Sequence, residues 1–323
     1  MTSQPAARTA APSPTTVGSA SASQPADDRP VALITGGSGD IGAAAIERLL
    51  LDGYRIAATY HRNADRAAAL QRRLDPNGDR LTFYRLDLVP RNVREAAART
   101  DGGAADDQDD DVEAVVAAAV SRFGRLDALV HCAAIIDTTP LWQATAAQID
   151  TVLHAGITAP LLLVRAAASL TTQPSLVSED PPHETRRGSL RSVVVVTSVA
   201  ERFIGPDSAA YHASKAALAA ITRYLACHLA PGIRVNAVAP GAIDSGPNAA
   251  DPHWPRRMLS ARIPAARPGT PADVADAIAY LVSPHAAYVT GHTLYVDGGL
   301  SASLTPPPAR ARSATADERN ASR

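Results

Sequence analysis

Aromatic residues make up only 4% of this 323-residue chain: three phenylalanines, two tryptophans and eight tyrosines. The interior must therefore be built from Ala, Val, Leu and Ile, and the apolar share of 46% is enough for one large domain. Cysteine is scarce too. Cys132 and Cys227 stand far apart without metal-ligand spacing, which excludes a disulfide framework and points to a reducing, cytoplasmic setting. No excess of one charge exists either: 31 Lys and Arg against 32 Asp and Glu leave a net charge of −1. A near-neutral chain without a basic stripe lacks the electrostatic footprint of nucleic-acid binding. No segment reads as long and apolar enough to span a bilayer, so no membrane partner is expected. Residues 1–29 have neither the apolar core of a signal peptide nor the positive charge of a transit peptide.

Those first residues are rich in Ala, Ser, Thr, Pro and Gln, and residues 301–323 have the same character; both read as disordered tails. Two internal stretches read as surface insertions: Asp101–Asp111, and Thr171–Gly188 with its Pro181-Pro182. The aspartate run is expected to be a self-repelling solvated loop, and no metal site is predicted. Between the tails, residues 30–300 alternate regularly. Short apolar strands are predicted near 31–35, 54–59, 81–86, 127–131, 190–197, 233–238 and 292–296, separated by Ala- and Leu-rich helical stretches. Alternation of this kind predicts an α/β fold: one Rossmann-like, doubly wound parallel sheet of about seven strands, with its ligand crevice beyond the carboxyl ends of the strands.

Chemistry-bearing residues fall at those ends. The first strand, Val31–Thr35, runs into Gly36-Gly37-Ser38-Gly39-Asp40-Ile41-Gly42 and then a helical pattern. Strand, glycine turn and helix start form a cradle for pyrophosphate, because glycine permits a tight turn and free N–H groups at a helix start attract anions. The spacing is not GxGxxG. Farther on, Ser198 follows the apolar run Val193–Val196, and Tyr211 and Lys215 stand four residues apart. On a helix that spacing sets ammonium and phenol on one face, which favours the ionised phenol and makes Tyr211 a candidate general acid.

Taken in order, these motifs resemble the short-chain dehydrogenase/reductase family over essentially all of residues 30–300. They are TGGSGDIG at Thr35–Gly42, Asp87 in RLDL, Ser198, the YxxxK of Tyr211 and Lys215, IRVNAVAPG at Ile233–Gly241, and GHTLYVDGG at Gly291–Gly299. The resemblance implies catalysis by Ser198, Tyr211 and Lys215. It also implies a nicotinamide dinucleotide held by Gly36, Ser38, Asp40, Ile41, Gly42, Arg62, Asp87, Ala133, Tyr211, Lys215, Pro240, Gly241 and Ile243, with Asp87 on the adenine. After the second strand the chain reads Ala58-Thr59-Tyr60-His61-Arg62-Asn63. An acid that would hold ribose hydroxyls is missing there and Arg62 can meet a 2′-phosphate, so NADP(H) is favoured over NAD(H). Gly39, where many NADP-using relatives carry arginine, tempers this.

Three departures from the family pattern stand out. Asp40 replaces a glycine beside the expected pyrophosphate and is read as a helix N-cap. The family's NNAG element becomes His131-Cys132-Ala133-Ala134, with His131 read as structural and Cys132 as a small buried filler. Gly156 stands where relatives carry an asparagine that anchors a water beside the lysine, and returning asparagine there is expected to leave stability intact. The implied activity is NADPH-dependent reduction of a ketone to an alcohol, most like 3-oxoacyl-thioester reductases. Sugar or polyol dehydrogenases, pteridine reductases and a non-catalytic dinucleotide sensor are alternatives. Substrate contacts are expected from a lid at about 245–265 carrying Trp254 and Met258, and from Phe203, with Trp142 and Glu201 as further wall residues. Homodimers or homotetramers are expected through helices around 146–169 and 210–230.

Overall fold

A computed structural model of the chain describes residues 28–89, 112–171, 190–205, 208–245 and 262–302. Both tails beyond these bounds, the Asp-rich stretch, most of the 171–188 insertion and most of the lid, including Trp254 and Met258, lie outside the described residues.

Seven parallel strands form one sheet in the order β3-β2-β1-β4-β5-β6-β7. They are β1 (Val31–Thr35), β2 (Arg55–Tyr60), β3 (Leu81–Arg85), β4 (Ala128–His131), β5 (Ser192–Val196), β6 (Arg234–Pro240) and β7 (Thr293–Val296). The helices are α1 (Asp40–Leu51), α2 (Ala64–Leu74), α3 (Val112–Phe123), α4 (Ala146–Leu153), α5 (Ala159–Thr171), α6 (Ala209–Leu229) and α7 (Pro271–Val282). A π-helical turn, His154–Thr158, joins α4 to α5.

Successive residues of a strand face opposite sides of the sheet, and here both sides are covered. Val31, Leu33, Leu129, Val193, Val195 and Val235 pack with Val116 and Ala119 of α3, Leu163 of α5 and Leu218 of α6. Ala32, Ile34, Ile56, Val130, Val194 and Val238 pack on the other side with Ile46 and Leu49 of α1 and Val274 and Ile278 of α7. Burial on both faces explains why β1 and β5 are unbroken apolar runs. At the amino end, Asp127 braces two central strands: its carboxylate accepts from the Val31 N–H at 2.8 Å and pairs bidentately with Arg125 at 2.7 and 2.8 Å.

Strand order reverses direction at β1, between β2 and β4, and opens a crevice at the carboxyl ends. One expectation is corrected. Residues Ala146–Thr171 form a continuous 26-residue helical run that is, by length and composition alone, long and apolar enough to cross a membrane. Gly156 and Pro160 lie within this stretch, and the π turn His154–Thr158 joins the helices on either side into one run. Leu163, Val164, Ala166 and Ala167 of this run are buried in the core cluster under the sheet.

Candidate active site

The turn after β1 is shaped by close backbone approaches. Gly36 has φ of +69°, and a Cβ on it would come within 2.8 Å of the Ala133 backbone at the end of β4. A Cβ on Gly42 would overlap the Gly36 carbonyl oxygen. Both positions therefore require glycine. The Gly39 N–H donates to the Gly36 carbonyl at 2.9 Å, and the Gly36 N–H donates to Thr59 Oγ1 at 3.2 Å, tying the turn to β2. Ser38, Asp40, Ile41 and Gly42 follow on this turn and the first turn of α1. Asp40 is not the N-cap expected from sequence. Gly39 caps α1 through its extended backbone, with no side-chain hydrogen bond, and the Asp40 carboxylate forms an ion pair with Arg66 of α2. That cation lies 26 residues away, where no local capping rule can find it.

A cavity of about 360 Å³ opens beside the turn, lined by Gly36, by Thr59, Tyr60, His61 and Arg62, by Leu86–Val89, by Ala133–Ile135, and by Thr151 and Ala155. Four residues expected on a dinucleotide, Gly36, Arg62, Asp87 and Ala133, thus share one wall. Their donor set fits the adenosine half of that cofactor: a glycine turn, a buried carboxylate, an exposed guanidinium and no acid at the end of β2. The sequence reading missed His61. Its Nε2 lies 2.7 Å from Asp87 Oδ2, while Asp87 Oδ1 accepts from the Val89 N–H at 2.9 Å. Asp244 and Ser245 line a second, wider cavity of about 550 Å³ with Asp40 and Arg66. Pro240 ends β6, and Gly241 and Ile243 follow it; a Cβ on Gly241 would come within 2.7 Å of Asp297 Cβ.

Ser198, Tyr211 and Lys215 gather at the carboxyl end of β5. Ser198 caps a one-turn 3₁₀ helix, Val199–Glu201, its Oγ accepting from the Ala200 N–H at 3.1 Å. Ser208 caps α6 in the same way, accepting from the Tyr211 N–H at 3.2 Å. Tyr211 is buried against Ala200, Ala210 and Val152 of α4. Lys215, only 3% exposed, donates from Nζ to the Val196 carbonyl at 3.0 Å and sits 5.5 Å from the Tyr211 ring centroid. Burial lowers the Lys215 pKa to about 8. His131 is buried at the end of β4, shares a 2.8 Å hydrogen bond with Thr35 Oγ1, and is held neutral by burial and by Lys215, its pKa near about 3. Cys132 is half-buried, and desolvation pushes its thiol to about 12.

Among the wall residues, Trp142 and Phe203 are exposed at 85% and 42%. Glu201 is buried, and its Oε1 accepts from the Tyr295 hydroxyl of β7 at 2.6 Å. Gly156 corrects another expectation. It lies within the π turn, and a Cβ there would stand 2.6 Å from Ser214 Cβ and 2.8 Å from Ser214 Oγ on α6. The volume an asparagine would enter is filled. The glycine lets the two helical runs approach.

Two measurements follow from this packing. Between pH 8 and about 9 the unfolded chain binds more protons at Lys215 than the folded one, because the pKa falls from 10.5 to about 8 on folding, so stability rises with pH. Above 9.0 the Cys132 thiol opposes the rise, since it ionises first in the unfolded chain. Calorimetry of cofactor-free Lys215→Met should therefore show a flatter dependence of Tm on pH in that window; an unchanged slope contradicts the assignment. At Gly156, alanine should gain about 1 kcal/mol of helix propensity and lose ~1–3 kcal/mol to overpacking, for a net loss. Asparagine should lose more. Ser214→Gly in the same chain should recover part of the cost, and a double-mutant denaturation cycle without coupling would overturn the contact.

Comparison with known proteins agrees with this architecture. A family model described as enoyl-(acyl carrier protein) reductase matches residues 37–301. A 3β-hydroxysteroid dehydrogenase of Eggerthella lenta is 32% identical over 273 residues, covering 83% of this chain and 92% of that protein. A 3-oxoacyl-(acyl-carrier-protein) reductase of Staphylococcus aureus is 30% identical over 271 residues, covering 83% and 97%. A solved dehydrogenase/reductase from Sinorhizobium meliloti superposes with a TM-score of 0.67 at 33% identity, covering 84% and 94% of the two chains. With its glycine turn, its parallel sheet and its Ser–Tyr–Lys cluster, the chain belongs to the short-chain dehydrogenase/reductase family, NAD(P)-dependent oxidoreductases acting on CH–OH and C=O groups.

Proposed function

We propose that the protein reduces a ketone to a secondary alcohol with NADPH. The observation that carries the reading is the buried Lys215 ammonium, 5.5 Å from the Tyr211 ring centroid and bonded to the strand end that leads into Ser198. Ser198 Oγ donates a hydrogen bond to the substrate carbonyl oxygen and withdraws charge from its carbon. The Tyr211 hydroxyl gives its proton to that oxygen as the C–H bond forms. Lys215 stabilises the phenolate left behind, and would hold the nicotinamide ribose. Bound NADPH supplies the hydride. In the opposite direction Tyr211 acts as base towards an alcohol.

The relatives' names, a hydroxysteroid dehydrogenase and an oxoacyl reductase, support a ketone and alcohol pair as substrate class. Preference for NADPH is supported by Arg62 at the cavity and by the absence of an acid at Thr59 and Tyr60. We also propose a cytoplasmic homo-oligomer. Leu161 and Leu170 on α5 and Tyr224 on α6 expose apolar surface suited to a second copy of the chain. Light scattering should give a dimer or tetramer; a monomer at micromolar concentration rejects this. A second reading, a dinucleotide sensor without turnover, draws on Gly156, which removes the side-chain anchor that catalytic relatives use.

Two substitutions test the main reading. Tyr211→Phe should lose most hydride transfer in single-turnover assays on a ketone panel while NADPH binding stays near wild type. Arg62→Ala should weaken NADPH binding by ~1.5–3 kcal/mol, the worth of a charge-assisted hydrogen bond, and leave NADH binding almost unchanged. Near-normal rates for the first variant, or equal losses of both cofactors for the second, reject the corresponding role. Tight cofactor binding with no turnover of any ketone would favour the sensor.

A further inference from the structure

His212 follows Tyr211 on α6, and the chemistry proposed above makes no use of it. The residue is 9% exposed, and both ring nitrogens bond to the backbone of the segment that leaves Ser198. The Gly205 N–H donates to Nε2 at 3.2 Å, so Nε2 carries no proton. The proton of the neutral ring is then on Nδ1, which donates to the Ala200 carbonyl at 2.8 Å. Ala200 in turn donates its N–H to Ser198 Oγ at 3.1 Å. A single imidazole thus grips the Ser198 turn at one end and the exposed stretch Arg202–Gly205 at the other.

Besides this clamp, the Arg202 and Phe203 N–H groups donate to the Val199 carbonyl at 3.1 and 3.0 Å, and the Arg202 guanidinium lies 5.3 Å from the Tyr295 ring centroid. Arg202, Phe203, Ile204 and Gly205 are all exposed. The anchor itself is rigid: His212 sits in the first turn of α6, its N–H bonded to the Ser208 carbonyl at 3.1 Å, its ring edge-on to Tyr211 with centroids 6.3 Å apart at 81°. Because the clamp grows from the residue next to Tyr211, any shift of that helix start carries the Ser198 turn with it.

We propose that His212 is a positioning residue that fixes the Ser198 turn against Tyr211, so that hydroxyl and phenol converge on the same substrate oxygen. The inference rests on the ketoreductase reading for its catalytic half and on hydrogen bonding alone for its structural half. A misplacement of about 1 Å between such groups costs on the order of 100-fold in rate.

The test compares His212→Phe, which fills the volume and makes neither hydrogen bond, with His212→Gln, which offers one donor and one acceptor. Amide hydrogen exchange of residues 199–205, kcat on a ketone and the NADPH dissociation constant are measured on the full chain. Phenylalanine should speed exchange of the Gly205 amide and lower kcat by ~10-fold or more with cofactor affinity little changed, and glutamine should fall between it and wild type. If the phenylalanine variant fails to fold, glutamine must still lower kcat without weakening NADPH binding. Unchanged exchange overturns the clamp, and faster exchange at wild-type kcat overturns its role in positioning. Parallel losses of kcat, cofactor affinity and Tm that glutamine does not relieve would make His212 an ordinary core residue. A wild-type protein inactive on every ketone refutes the functional reading and the catalytic half of this one, while the exchange comparison still decides the clamp.

Discussion

A buried ammonium needs a strong reason to be tolerated, and the hydrogen bond from Lys215 to the Val196 carbonyl supplies it. Desolvating a cation costs several kcal/mol, and only a well-aimed acceptor offsets much of that. The acceptor here is the last carbonyl of β5, at the carboxyl end where all seven parallel strands finish on the same side. Parallel topology therefore delivers a ring of strand ends to one place, and α6 crosses that place with Tyr211 one turn ahead of Lys215. Burial shifts the lysine towards release of its proton, a poise that an exposed lysine lacks.

Close approach is the second constraint. The π turn at His154–Thr158 can lie against α6 because Gly156 leaves room for Ser214, and the turn after β1 can touch β4 because Gly36 has no Cβ. These contacts bring Ala133 and Ala155 to the same cavity as Gly36. Larger residues at either glycine would push apart elements whose spacing defines the cleft. The Asp40 carboxylate is paired with Arg66, and Asp87 Oδ2 lies 2.7 Å from His61 Nε2, so each acid in that neighbourhood has a polar partner.

Most of the sheet was legible because its signal is local. Val31–Ile34 and Val193–Val196 are continuous apolar runs, and the strand limits differ from expectation by at most two residues. The Tyr211 and Lys215 pair was legible for the same reason: four residues on a helix are spatial neighbours. What escaped detection depends on partners distant in sequence. Asp40 read as a cap because capping is a short-range rule, while its actual partner Arg66 belongs to another helix. Asparagine at Gly156 read as harmless because nothing in the chain announces that Ser214 will fill the space. His212 carried no signal in the sequence, since its partners, the Ala200 carbonyl and the Gly205 N–H, are loop backbone without side-chain signature.

The bond between Glu201 and Tyr295 has a consequence for how the protein is made. Glu201 belongs to the turn that carries Ser198, whereas Tyr295 belongs to the edge strand, formed from nearly the last residues described. As the chain leaves the ribosome, the Ser–Tyr–Lys residues emerge first and can pack on the central strands. Their turn lacks the Tyr295 hydrogen bond until β7 has been synthesised and has paired with β6. The phenol, raised to about 12 by burial and by the carboxylate, remains a donor once in position. Completion of the sheet and completion of the Ser198 turn are therefore one event, and a nascent chain stalled before β7 would carry Ser198, Tyr211 and Lys215 on an unfinished support.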